Sequence, residues 1–324
     1  MTSASRPVSD SGLDDRVLPF AVEPLDVRGR LVRLGPSIDQ ILSRHAYPPS
    51  VARLLGEAAV LTVLLGSALK FEGRFQLQTR TDGVVDMLVV DFDAPDHLRA
   101  FARFDAQKLS AAEASGQPMP AALLGRGHLG FTIEQGGDLS RYQGVVALTG
   151  QGLEEAAHEY FRQSEQIPTL VRLAVAEDLT PAGTHWRAGG LMIQFLPTNS
   201  ERMLVADLDP GDAPEGTLLH EVPEDDAWSE AKALAATVED HELIDPSLSS
   251  ERLLYRLFHE RGVTVFDANS VRDICRCSDD RIREMLRRFT PQERGDMTGE
   301  DGRIGVTCEF CSTHRSYDPA EFEA

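Results

Sequence analysis

Through its first 274 residues the chain has no cysteine. That excludes a disulfide framework spread through the fold. Positive charge is also short: 32 Lys and Arg against 52 Asp and Glu leave a formal net charge of −20, with a pI near 4.8. Nucleic acid and anionic membrane surfaces are bound through clustered Lys and Arg, so this balance argues against both. High net charge instead keeps a protein soluble while it carries sticky surface or a sticky cargo. Long apolar runs are missing too. The most apolar stretch, Ala58–Leu69, is shorter than the ~20 residues needed to span a bilayer and reads as a buried core helix. The polar segment Met1–Arg16 has no basic n-region and no apolar h-region. It reads as a disordered lead-in, not a secretory signal. Clustered thiols without an export signal point to the reducing cytoplasm.

What remains is globular in composition: 324 residues, 42% hydrophobic, 26 glycines. The length suits two domains, or a large one and a small one. Residues 17–198 mix strand and helix signals. Ser37 opens a helix expected to run to Tyr47, and Pro48-Pro49 a longer buried one ending near Lys70. Arg74–Arg80 alternates apolar and polar residues, and Thr81-Asp82-Gly83 supplies a turn into the apolar run Val84–Phe92. Leu98–Phe104, Gly127–Glu134 and Tyr142–Leu148 read as further strands, the last two joined through Gly136-Gly137-Asp138. A helix is expected over Gly152–Gln166, and a strand pair at Leu170–Val175 and Leu191–Leu196. The pattern predicts an α+β fold with a mainly antiparallel sheet.

Residues 199–249 read as an acidic helical linker. From Asn199 to Ser250 there are 14 acids and 2 bases, so this segment carries −12 of the total charge. Self-repulsion weakens compact packing there. Glu224-Asp225-Asp226 nevertheless marks a helix start, followed at helical spacing by Trp228, Ala231, Leu234, Ala235 and Val238. Such a short helix is marginal alone and needs an apolar surface beneath it. The stripe Trp228, Leu234, Val238 is either ordinary core or a displaceable cover over a binding surface.

Residues 250–324 hold all four cysteines, as Cys275-Arg276-Cys277 and Cys308-Glu309-Phe310-Cys311, separated by 30 residues. Helices are expected from Ser250 and over Ser278–Phe289, with Thr307–Tyr317 a turn between short strands. Two close pairs and no other thiol suggest one four-thiolate object, most simply one Zn²⁺ held by Cys275, Cys277, Cys308 and Cys311. The Cys-x-Cys spacing is tighter than structural zinc sites favour and also suits redox chemistry. A purely structural zinc module therefore stands beside a redox-active one. His314 is a ligand by spacing only, and with four thiolates at hand reads as a surface residue. Arg276, Arg281, Arg283, Arg287 and Arg288 either depress thiol pKa values or form a solvated helix face. Gly125-Arg126-Gly127 lacks the strand–loop–helix setting of a phosphate cradle. A module with few large hydrophobes would be marginal without a metal staple.

With these features in hand, the chain resembles the bacterial redox-regulated heat-shock holdases, the thirty-three-kilodalton chaperonin family, over roughly Val17–Phe322. Cys-x-Cys followed about thirty residues later by Cys-x-x-Cys carries the resemblance. Arg141-Tyr142-Gln143-Gly144-Val145-Val146, Tyr160-Phe161 with Ser164-Glu165-Gln166, Ala188-Gly189-Gly190-Leu191 and Leu257-Phe258-His259-Glu260 support it. The resemblance implies a cytosolic, ATP-independent chaperone with no catalytic residues, inactive when reduced and holding one zinc. It implies that oxidation ejects zinc, forms the Cys275–Cys277 and Cys308–Cys311 disulfides, and unfolds module and linker. The exposed surface then binds unfolding client proteins, and the active form dimerises. Neither local disulfide would join the two halves as the metal does, so oxidation removes ~10–16 kcal/mol of metal-linked folding energy and returns little. A thiol–disulfide oxidoreductase built on Cys308 and Cys311 is the alternative. It would want a thioredoxin-like βαβ setting around that pair.

Overall fold

The computed structural model of the chain describes residues 13–68, 73–116, 121–135, 141–181, 183–197 and 224–322. It opens on a pair, β1 (Arg16–Val22) and β2 (Val27–Leu34), joined by a 3-10 turn at Glu23–Leu25. The helices α1 (Pro36–Ser43) and α2 (Pro49–Gly66) follow, then β3 (Gly73–Thr81), β4 (Val85–Asp93) and β5 (His97–Phe104). Next come α3 (Ala106–Ser115), α4 (Ala121–Leu124), β6 (Arg126–Gln135), β7 (Arg141–Thr149) and α5 (Leu153–Tyr160), which widens into a π-helical turn at Phe161–Glu165. The long hairpin β8 (Thr169–Thr180) and β9 (Gly183–Phe195) completes this part. Beyond it lie α6 (Asp226–Ala235), α7 (Asp240–Ile244), α8 (Ser250–Phe258) and three two-residue strands, β10 (Thr264–Val265), β11 (Asn269–Ser270) and β12 (Arg272–Asp273). The chain then forms α9 (Asp279–Arg287), α10 (Pro291–Asp296), the hairpin β13 (Ile304–Thr307) and β14 (His314–Tyr317), and a 3-10 turn at Pro319–Phe322.

The strands make two six-stranded sheets and the small β13–β14 ribbon. The first sheet runs β10-β1-β2-β9-β8, with β11 also on β1; the second runs β12-β5-β4-β3-β6-β7. Every pairing is antiparallel except β12 on β5. The expected α+β class with mainly antiparallel sheet is what the chain forms. α2 lies between the sheets, touching β3, β4 and β5 on one side and β2, β8 and β9 on the other. This explains its nearly continuous apolarity: residues from Val51 to Gly66 are buried except Arg53 and Glu57. α2 is long and apolar enough to cross a membrane, but here both sheets take up that surface.

The first sheet is buried on both faces. Its inner face packs on α2 in the main core. Its outer face carries Leu18, Phe20, Val22, Leu31, Leu191, Ile193 and Phe195, and α6, α7 and α8 cover it with Trp228, Ala231, Ala235, Val238, Leu243, Leu253, Leu254, Leu257 and Phe258. A third, small cluster sits in the C-terminal module: Ile282, Leu286, Ile304, Tyr317 and Phe322.

Several local expectations are corrected. β1 and β2 had no counterpart in the sequence reading, because Pro19 and four arginines blur their alternation; pairing with β9 and the helical cover make them core strands. α3, α4 and α7 were likewise unforeseen. α1 ends at Ser43, short of Tyr47. Ser37 does not cap it but lies inside, and the Asp15 carboxylate accepts the Gly35 and Ser37 backbone N–H groups at 2.9 and 3.0 Å. Asp14 and Asp15, assigned to the 1–16 lead-in, are thus bound into the fold. α2 stops at Gly66; the expected end near Lys70, the Gly136-Gly137-Asp138 turn and the linker acids from Glu201 to Glu221 lie outside the described residues. β8 and β9 extend well past the expected pair. Val238 lies beyond the end of α6, in a turn closed by its N–H to the Ala235 carbonyl at 3.1 Å, and Leu234 is only partly buried.

Candidate metal centre

Cys275 and Cys277 are placed by the second sheet. β12 pairs with β5 through Arg272–His97 and Asp273–Leu98, and the Ile274 N–H then reaches the Leu98 carbonyl at 3.1 Å. The first cysteine pair therefore continues an edge strand of the N-terminal sheet. Cys308 and Cys311 occupy the turn between β13 and β14. There the Cys308 N–H donates to the Thr313 carbonyl at 3.1 Å and the Ser312 N–H to the Cys308 carbonyl at 2.8 Å. Ser312 turns the chain with φ of 54°.

All four Sγ atoms lie within 4.8 Å of one another, half-buried and unbridged. The closest contacts cross between the motifs: Cys275 to Cys308 at 3.7 Å and Cys277 to Cys311 at 3.3 Å. A tetrahedral ion with ~2.3 Å bonds to thiolate spaces its sulfurs about 3.8 Å apart, so the donor set fits a four-thiolate metal site. Among the described residues no other group of three or more His, Cys, Asp or Glu gathers in this way. His314 is exposed and bonds Thr307 Oγ1 at 2.9 Å through Nδ1, outside the cluster.

The thiols are not equivalent. Burial pushes Cys275 and Cys277 up. Burial also opposes the Cys311 thiolate, but hydrogen bonds with Thr313 and with the neighbouring thiols outweigh it and bring that group down to about 6. The nearby cations are not those the sequence suggested. Arg276 pairs with Asp93 at 3.1 Å, Arg283 with Glu321 at 3.2 Å and Arg288 with Glu284 at 2.8 Å. The guanidiniums facing the sulfurs are that of Arg315, 3.4 Å from Cys277 Sγ, and that of Arg99, beside Cys275.

Phe310, between the second pair, was also missed. Its ring meets Phe101 edge-on at 4.8 Å, and the Arg99 guanidinium lies 4.0 Å from its centroid. Its carbonyl accepts from Arg44 Nη1 at 3.3 Å and lies 3.1 Å from His45 Nε2. The cysteine turn is thereby seated on β5 and the end of α1. Its sequence signal was only an aromatic at a loop tip, with no record of the partner. Aromatic and cation–π contacts together contribute about 1–3 kcal/mol. Phe310→Ala is expected to speed amide exchange at residues 308–312 about tenfold with all four thiols still able to bind one metal ion. Loss of metal binding in the variant would instead make Phe310 part of the site.

The linker stripe is docked. Trp228 is 4% exposed and its ring lies 6.1 Å from that of Phe195 on β9. Asp225 caps α6, accepting the Ala227 N–H at 2.9 Å.

An antiparallel α+β protein with the outer face of its first sheet covered by α6, α7 and α8, and a C-terminal four-cysteine cluster able to hold a metal, is the class these features define. Comparison with known proteins carries this further. The family model described as Hsp33 protein matches residues 15–318. The 33 kDa chaperonin of Caulobacter vibrioides is 45% identical, over 96% of this chain and 97% of its own. That of Shewanella loihica is 33% identical, over 94% and 93%. The crystal structure of the 33 kDa chaperonin from Thermotoga maritima superposes with a TM-score of 0.72 over 95% of this chain and 97% of its own, at 18% identity, a likeness of fold. The chain belongs to the Hsp33 family of chaperones.

Proposed function

We propose that the chain is a redox-regulated, ATP-independent holdase of the cytoplasm, with no catalytic turnover, nucleic acid or membrane in its action. The observation that carries this reading is the outer face of the first sheet. Among the described residues this broad apolar surface is covered mainly by α6, α7 and α8, which come before the four cysteines in the chain. In the reduced state Cys275, Cys277, Cys308 and Cys311 hold one Zn²⁺, which ties the ends of the module together. Peroxide oxidises the thiolates within each motif. Each Cys275–Cys277 or Cys308–Cys311 bond formed gives two electrons, and two protons and the peroxide become two waters. The sulfurs, no longer thiolates, release the ion. Residues 275–322 then unfold, the cover made by α6, α7 and α8 loses its anchor, and the bared surface binds unfolding proteins, in a homodimer.

Connectivity tests this. The nearest sulfurs lie across the motifs, and Cys275–Cys308 or Cys277–Cys311 bonds would close loops of 33 and 34 residues, worth about 3–4 kcal/mol each. Proteins oxidised within the motifs are expected to suppress aggregation of a heat-unfolded client. Cross-linked ones should stay close to the reduced level. Equal suppression by both, or none by either, would overturn the reading.

A further inference from the structure

The motif Ala188-Gly189-Gly190-Leu191 has no part in the metal site, yet its two glycines face different partners. A Cβ on Gly190 would meet Val60 Cγ1 of α2 at 2.5 Å. A Cβ on Gly189, on the outer face, would lie 2.1 Å from the backbone carbonyl oxygen of Leu243. The last turn of α7 thus rests directly on the β9 backbone at a point where no side chain fits. Leu243 itself is fully buried there.

The carbonyls around that point are held by two arginines from the sheet. Arg33 of β2 is 1% exposed; its Nη2 donates to the Glu242 carbonyl and its Nη1 to the Asp245 carbonyl, both at 2.6 Å. Arg187 of β9 donates through Nε to the Ile244 carbonyl at 2.6 Å. Its other two nitrogens grip the Asp14 carboxylate at 2.9 and 2.5 Å, which fixes the guanidinium plane. The last carbonyls of a helix have no partners within it and carry the negative end of the dipole. Three of those at the end of α7 are met by cations, and Leu243 between them sits on Gly189. The other end of α7 is closed by a capping box between Glu239 and Glu242, and Glu242 pairs with Arg256 at 2.6 Å. Asp240 pairs with Arg172 at 2.9 Å, but Glu154 shares that arginine. Burial and the charges of Glu154, Glu155 and Asp240 push Glu57 up to about 7.

We infer that Arg33, Arg187 and Gly189 form the latch that holds the linker on the N-terminal sheet, gripping the C-terminal carbonyls of α7. The latch's hydrogen bonds go to backbone oxygens, and the Asp245 carboxylate adds a favourable charge near Arg33. Cations at this turn offset part of the self-repulsion of an acidic segment. The regulatory consequence rests on the holdase reading: releasing this turn bares the apolar face while the cysteines are untouched. Arg33 and Arg187 are positioning residues.

Peptide-resolved amide exchange on the reduced, metal-loaded full chain tests the latch without any client. Gly189→Ala keeps every charge and needs no unusual backbone angle, so it acts only through the Leu243 carbonyl. Arg187→Gln removes one grip by different chemistry, and Arg187→Lys keeps the charge. Residues 239–245 are expected to exchange at least about tenfold faster in Gly189→Ala and Arg187→Gln, with Arg187→Lys between them and the parent. Protection in β3–β7 and metal content should not change. Parent-like protection of 239–245 in both variants, or protection lost throughout the first sheet in Gly189→Ala, would overturn the latch. Client holding is then compared in the same samples, with the oxidised parent as control. An oxidised parent that holds no client refutes the holdase reading and leaves the exchange result standing on its own.

Discussion

Stripping the metal from the reduced protein is expected to unfold residues 275–322 and to leave both large sheets folded. The module's own core is five buried side chains, Ile282, Leu286, Ile304, Tyr317 and Phe322, with Arg294 tied to the Phe322 carbonyl at 2.9 Å. Burying a few such groups does not match the cost of ordering about fifty residues. Four thiolates on one ion contribute ~10–16 kcal/mol of apparent folding energy in small zinc modules, as much as the whole stability of an ordinary domain. The outcome is read by amide exchange across 278–322 before and after a strong chelator, with one equivalent of Zn²⁺ added back. Exchange there should rise to near the unfolded limit and return on refilling. Protection that survives chelation would mean that the small core suffices and that metal loss is no trigger.

Replacing Trp228 is expected to switch on client holding in the reduced state. Trp228 is 4% exposed over Phe195, and Lys232 Nζ sits 5.9 Å from its ring. Truncating a buried tryptophan costs about 3–5 kcal/mol. α6 has ten residues, too few to persist alone, so that loss falls on the docking equilibrium. A shift of this size changes an undocked fraction by more than a hundredfold. Trp228→Ala is therefore expected to suppress client aggregation without oxidant and with its metal in place. Leu234→Ser should do so more weakly, because Leu234 is only partly buried. Val238, 2% exposed in the turn before α7, should rank between them. Reduced Trp228→Ala as inactive as the parent, with proteolysis of the linker unchanged, would show that α6 is not the cover.

Four thiols confined to two pairs specified one cluster before any coordinates, because no other thiol competes for the ion. The apolar run in α2 announced burial on all sides, and Asp-Gly chemistry announced the β3–β4 hairpin. These readings rest on local pattern, which the chain carries in itself. Which surfaces meet was decided only by the tertiary structure. β1 and β2 are too arginine-rich to read as core, yet Arg33 is buried with its two Nη atoms donating to backbone carbonyls 209 and 212 residues away. Gly189, just before the expected strand at Leu191, gives no sign in the sequence that α7 will lie on it. Phe310 is a loop aromatic until Phe101 and Arg99 close around it. The sequence determined the metal-ready cluster and the class of fold by residue type and spacing. The seating of the linker and of the cysteine turn came from contacts between distant segments, because a side chain's partner depends on the surface that folding brings to it.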